Sequence, residues 1–91
     1  MRIIICGGGR VGYNLAAYLS RQKNDVTFID KDETIIHEIN TSLDVNTILG
    51  SAADPNIQQH AGAGDADVII AVTGIDEVNM VICQVAHSLF N

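Results

Sequence analysis

The sequence predicts an α/β fold, a doubly wound parallel sheet that stops after its fourth strand and the helix behind it. Three observations lead there. Short β-branched or apolar runs alternate with stretches of helical periodicity. A glycine-rich turn, Gly7-Gly8-Gly9-Arg10-Val11-Gly12, joins the first run to the first helix. An acid, Asp30, closes the second run about 20 residues further on.

Arg2 to Cys6 reads as a strand buried on both faces, ending at glycines. From Val11 to about Lys23, apolar Val11, Leu15, Tyr18 and Leu19 recur at helical spacing, with Ala16 and Ala17 as good helix formers. Val26 to Asp30 is the second strand. Asp32 then caps a helix running from Glu33 through Ile39. Val45 to Leu49 is the third strand, stopped by Gly50. Asp54-Pro55 starts a short helix from about Asn56 to Ala61, because Asp accepts the unpaired amides and Pro suits the first helical position.

Gly62-Ala63-Gly64 breaks that helix, and Asp67 to Val72 is the fourth and most apolar strand. The last helix runs from about Asp76 to Phe90, with Val78, Val81, Ile82, Val85, Leu89 and Phe90 as its expected buried stripe. Right-handed crossovers put the strands in the order 3-2-1-4. Strand four is then left at an edge, and Leu89-Phe90-Asn91 reads as a helix cut short rather than closed by a glycine cap. The expectation is one domain over residues 1–91 that is a fragment of a longer protein. Its uncovered edge or last helix would support association into a dimer or larger homo-oligomer.

The glycine turn fits the Rossmann-like pattern G-x-G-x-x-G. Gly7 turns the chain out of the strand, Gly9 lets phosphate approach the backbone, and Gly12 lets the helix pack closely on the sheet, while Gly8 adds freedom. The amides at the helix start then face a diphosphate with the positive end of the helix dipole. Arg10 can reach that diphosphate from the helix N-terminus, the alternative being a solvated arginine. Asp30, ending strand two, can accept hydrogen bonds from both hydroxyls of an adenosine ribose. Its charge would repel a 2′-phosphate by about 4 kcal/mol at about 4 Å and an effective dielectric near 20. NAD or NADH is therefore expected over NADP, with Lys31 a neighbouring cation that softens the discrimination. ATP or ADP is the alternative, since the same groups serve any adenosine diphosphate.

Composition narrows the class. The 91 residues are 47% hydrophobic and 18% charged, which suits a globular domain. Eleven acids against five Lys and Arg leave a net charge of −6, which repels nucleic acid. The apolar run after Met1 is too short for a signal sequence or a spanning helix, so a soluble cytoplasmic protein is expected. Cys6 and Cys83 form no C-x-x-C pair and are expected to be ordinary buried thiols, with no metal site.

Beyond the glycine turn, three further stretches, Gly50 to Pro55, Ala61 to Asp67 and Ala71 to Met80, follow one family in order and spacing. The chain resembles, over essentially its whole length, the TrkA-N family of nucleotide-binding domains (also called RCK or KTN) of Trk-type potassium uptake regulators. The resemblance implies phosphate contacts from Gly7 to Val11, the ribose at Asp30, adenine bordered by Ser51 and Ala52, and the other half of the ligand facing Thr73 and Gly74. It also implies a cytoplasmic oligomer beneath a membrane potassium channel subunit, which senses nucleotide to control gating. His37, His60 and His87 sit in no acid, base or metal constellation, so regulation rather than catalysis is expected. The alternative is the cofactor-binding portion of an NAD-dependent oxidoreductase.

Overall fold

The computed structural model describes residues 1–90. The strands are β1 (Arg2–Cys6), β2 (Asp25–Asp30), β3 (Asn46–Leu49) and β4 (Val68–Ala71). Between and after them lie helices α1 (Gly9–Arg21), α2 (Glu33–Ser42), α3 (Pro55–His60) and α4 (Asp76–Leu89), with a short 3-10 turn at Ala63–Asp65. The sheet is parallel, in the order β3-β2-β1-β4. The doubly wound α/β architecture read from the sequence is the one the chain adopts.

Register explains the two cores. Ile3 lies opposite both Val26 and Val68, and Ile5 opposite Phe28 and Ile70. Side chains alternate across a strand, so this set shares one face. There Ile3, Ile5, Val26 and Phe28 pack with Ala16 of α1 and Ile35, Ile36 and Ile39 of α2. Ile4, Cys6 and Ile29 point the other way and meet Ala52, Ala63 and Ile82, beneath α3 and α4. Phe28, Ile5 and Ile29 are fully buried, each burial worth about 1.5–3 kcal/mol.

Local chemistry sets the helix ends. Asp32 accepts a hydrogen bond from the Thr34 N–H at 2.9 Å to open α2. Asp54 accepts from the Asn56 N–H at 2.8 Å to open α3, with Pro55 in its first position. Pairing beside β4 runs wider than the strand itself. The Asp67 N–H donates to the Arg2 carbonyl at 2.8 Å and the Val72 N–H to the Cys6 carbonyl at 3.0 Å. These are the two residues by which the sequence reading overran the strand.

Burial departs from expectation on α1 and α4. On α1 the fully buried residues are Gly12, Ala16 and Ala17, while Val11 and Tyr18 are exposed. The small residues lie closest to the sheet, with Tyr13, Leu15 and Leu19 half-buried against the same core. On α4, Val81 and Leu89 are exposed rather than part of the buried stripe. Val81 stands beside the buried Ile82 on the outward side of the helix, whereas Leu89 lies at the far end, where the 14 residues of α4, about 21 Å long, outrun the 4 residues of β4, about 13 Å. Phe90, by contrast, packs against the second core. The reading of an uncapped chain end falls in part on Asn91, outside the described residues.

The thiols also divide. Cys6 is fully buried, but Cys83 is exposed, because it follows the buried Ile82 on the outward side of α4. Burial, with a smaller contribution from Cys83, pushes the Cys6 thiol from its ordinary 9.0 up to about 12. The folded chain then holds this proton where the unfolded chain releases it. The associated stability is full below pH 9.0 and is lost as pH rises from there toward about 12. An aromatic disulfide reagent at about pH 8 should titrate only Cys83 in the native chain and both thiols in denaturant. Chemical denaturation should show stability declining only above about pH 9 on account of Cys6.

Candidate functional site

Because the strands are parallel, their carboxyl ends and the loops that follow lie on one edge of the sheet. Backbone bonds hold these loops to one another. The Gly7 N–H donates to the Ile29 carbonyl at 2.7 Å, and the Gly50 N–H to the Asp30 carbonyl at 2.9 Å. Between them opens a cleft of about 240 Å³, lined by Gly7, Gly8, Gly9, Asp30, Lys31, Asp32, Gly50, Ser51, Ala52 and Thr73, with Ile29, Ile75, Val78 and Ile82 as its apolar side.

Two glycines make the turn possible. Gly7 has φ +76°, and a Cβ there would sit 2.7 Å from Thr73 Cγ2, so the turn lies directly against the loop after β4. A Cβ on Gly12 would collide with the Gly7 carbonyl oxygen and come within 2.8 Å of the Phe28 ring. Gly8 caps α1, and the Gly12 N–H closes back on the Gly8 carbonyl at 3.1 Å. The amides of the first turn before it have no partner four residues back and form the positive end of the helix.

Side chains shape the other three loops. Asp30 is half-buried and accepts the Asp32 N–H at 2.9 Å on Oδ1, which fixes its carboxylate at the end of β2. Ser51 Oγ accepts from the Ala53 N–H at 3.3 Å. Thr73 is organised by Asn79 of α4, whose Oδ1 accepts from the Thr73 N–H at 2.8 Å and from Thr73 Oγ1 at 2.6 Å. Asn79 does not line the cleft, yet it sets the shape of the loop that does.

Most of the residues singled out in the sequence meet here: Gly7, Gly8, Gly9, Asp30, Lys31, Ser51, Ala52 and Thr73 all line the cleft. Arg10, Val11, Gly12 and Gly74 do not. Gly12 is buried beneath the turn, and Val11 and Gly74 are exposed beside it. Arg10, read as reaching a diphosphate, donates instead to Glu38 Oε1 of α2 at 2.8 Å and lies 4.7 Å from the Tyr13 ring centroid. Sequence reasoning missed the apolar side. Its signal was the Ile75, Val78, Ile82 spacing, one face of the first turns of α4.

A larger cavity of about 350 Å³ lies at the opposite edge, among Arg2, Asp25, Asn46, His60 and Gly62. It holds no glycine turn, and its one carboxylate, Asp25, stands at the amino end of β2, away from the loops that follow the strands, so the smaller cleft is the candidate site. Among the described residues no group of three His, Cys, Asp or Glu is placed to hold a metal ion, and no helix is long and apolar enough to cross a membrane.

The model of the TrkA-N domain family matches residues 3–91. The chain belongs to this family. It is 50% identical over 90 residues to the Trk system potassium uptake protein TrkA of Halomonas elongata, covering 99% of this chain and 20% of that protein. The TrkA of Azorhizobium caulinodans is 45% identical over 91 residues, again 20% of its length. The TrkA homologue of Methanothermobacter thermautotrophicus is 40% identical over 83 residues, 91% of this chain and 38% of that protein. The chain thus spans about a fifth of the length of the first two of these relatives. Its fold matches the AMP-bound form of a Kef CTD from Shewanella denitrificans, with TM-score 0.82 and 24% identity over 99% of this chain and 54% of that one.

The packing of this TrkA-N domain against its own turn is open to test. Gly12→Ala should cost about 1–3 kcal/mol through overpacking, which lowers the melting temperature by about 4–8 °C for each kcal/mol. Nothing lies within 4 Å of a Cβ built on Gly9. Gly9→Ala should therefore show only a backbone cost of about 1–2 kcal/mol and leave the packing of Phe28, read by nuclear magnetic resonance, unchanged.

Proposed function

We propose that this TrkA-N domain binds an adenine nucleotide, NAD or NADH by preference, as the sensing part of a Trk-type potassium uptake regulator. The observation that carries the reading is the meeting of the Asp30 carboxylate and the glycine turn in one cleft, on adjacent strands. A carboxylate accepts from the ribose hydroxyls, and the first-turn amides of α1 donate to the diphosphate. Ser51 and Ala52 border the adenine. Thr73, with Gly74 beside it, faces the remaining half. Lys31 beside Asp30 adds a cation at the ribose end.

A cleft of about 240 Å³ suits the adenosine half of a dinucleotide, with the other half extending past Thr73. The AMP in the Kef CTD neighbour supports an adenosine ligand on this fold. ATP and ADP use the same groups and remain the competing ligands. Regulation rather than turnover fits the surroundings. His37, His60 and His87 are all exposed, and none lines the cleft.

The ligand would touch the loops after all four strands at once and also α4, whose Val78 and Ile82, with Ile75 just before the helix, form the apolar side of the cleft. Occupancy is thereby linked to α4, and the outer surface of that helix carries exposed Met80, Val81 and Leu89. Such a surface suits contact with other copies in a homo-oligomer. In the full-length protein the output would be a membrane potassium channel subunit of Trk type, with the regulator cytoplasmic and peripheral to the membrane. A net charge of −6 disfavours nucleic acid as a partner.

Calorimetric titration should find NADH or NAD bound and NADPH at least about tenfold weaker, because Asp30 repels the 2′-phosphate. Asp30→Ala should weaken every adenosine ligand and narrow the gap between NADH and NADPH. Equal affinities for NADH and NADPH in the unaltered chain would sink the Asp30 assignment, and absence of binding by any adenine nucleotide would sink the function.

A further inference from the structure

Gln58 is the one buried polar side chain in the core among the described residues, 1% exposed on a helix whose first residues are otherwise at the surface. Its Nε2 donates to the Ala52 carbonyl at 2.8 Å and to the Ile82 carbonyl at 3.0 Å. Its Oε1 has no hydrogen-bond partner. An apolar side chain of similar size would remove the orphaned Oε1 but leave the Ala52 carbonyl without its donor, so the two costs offset and stability alone does not account for a carboxamide here.

The two acceptors account for it. Ala52 belongs to the loop after β3 and Ile82 to α4, and both line the cleft. They lie thirty residues apart in the chain, and Gln58 is bonded to both. We infer that Gln58 is a positioning residue for the cleft: its carboxamide ties the Ala52 loop to α4 and so sets the separation of the two walls between which the adenine end of the ligand lies. This rests on the nucleotide reading above. Gln58 itself is not among the cleft-lining residues and acts through its neighbours.

The geometry upstream makes the strut stiff. Asp54 and Pro55 fix where α3 begins, and the Gln58 N–H closes on the Asp54 carbonyl at 3.1 Å, one turn along. The side chain therefore leaves a helix whose start is determined, and its amide group is aimed by two acceptors rather than one.

The test uses the full chain with Gln58→Leu and Gln58→Met, read by melting temperature, by amide exchange at Ala52, Ala53 and Asp54 without ligand, and by titration with NADH and AMP. Expected are a melting temperature little changed from that of the unaltered chain, faster exchange in this loop, and affinity for both ligands lower by about tenfold. Unchanged exchange would overturn the inference, as would faster exchange with unchanged affinity. A fall in affinity only in step with a fall in melting temperature, or failure of both variants to fold, would reduce Gln58 to a structural residue and overturn it equally. If the unaltered chain binds neither ligand, the nucleotide reading falls and takes the ligand role of Gln58 with it, whereas the exchange measurement still reports whether the strut exists.

Discussion

The structure depends on one close approach, where the start of α1 passes over β1 and β2 at Gly12. No side chain fits between that backbone, the Gly7 carbonyl and the Phe28 ring. The approach lets Ala16 and Ala17 reach the sheet further along α1 and seals Phe28 from solvent. It also aims the first-turn amides over the carboxyl end of β1. Core packing on one face and the candidate phosphate position thus share a single steric cause. A larger residue would lift the helix and disturb both.

Around that point, the cleft is built from loops that are tied by side chains to backbone. Asp30 holds the Asp32 amide, Ser51 the Ala53 amide, and Asn79 the Thr73 amide and hydroxyl. Each bond is modest in net energy, about 0.5–1.5 kcal/mol. Their effect is to leave each loop one conformation, so that a ligand meets prearranged donors and acceptors rather than ordering them itself. The apolar side works differently. Val78 and Ile82 belong to α4 and Ile75 immediately precedes it, so a shift of that helix changes the cleft directly.

Much of this was legible in the sequence, because local signals and tertiary placement agree. Strand periods, the Asp32 and Asp54 caps and the glycine turn each have a local physical cause, and a parallel sheet then gathers strand ends on one edge. The partner that Arg10 takes in the structure was not legible, for a definite reason. The long Arg10 side chain is free to choose among partners: Tyr13 lies one turn along the same helix, and Glu38 comes within reach only because α2 packs beside α1. Val81 and Cys83 were misjudged because both flank the buried Ile82 on the outward side of α4, and Leu89 because apolar character does not reveal how far a sheet extends beneath a helix. Gln58 carries no local signal at all, since a glutamine in a short helix ordinarily faces water.

The sequence by itself determined the fold class, the strand order, the family and the set of loops that meet at the candidate site. These follow from periodicity, from glycines where no side chain fits and from capping residues, all of which act within a few positions along the chain. Only the tertiary structure decided which of the loop residues face the cleft, that Arg10 is engaged on α2, and that Gln58 joins Ala52 to Ile82. Those outcomes depend on distances between elements remote in sequence, and such distances are set by packing rather than by local pattern. The glycine turn belongs to both kinds: its residues announce it, and Thr73, Val72 and Phe28 pressing on it show why Gly7, Gly8 and Gly12 must be glycine.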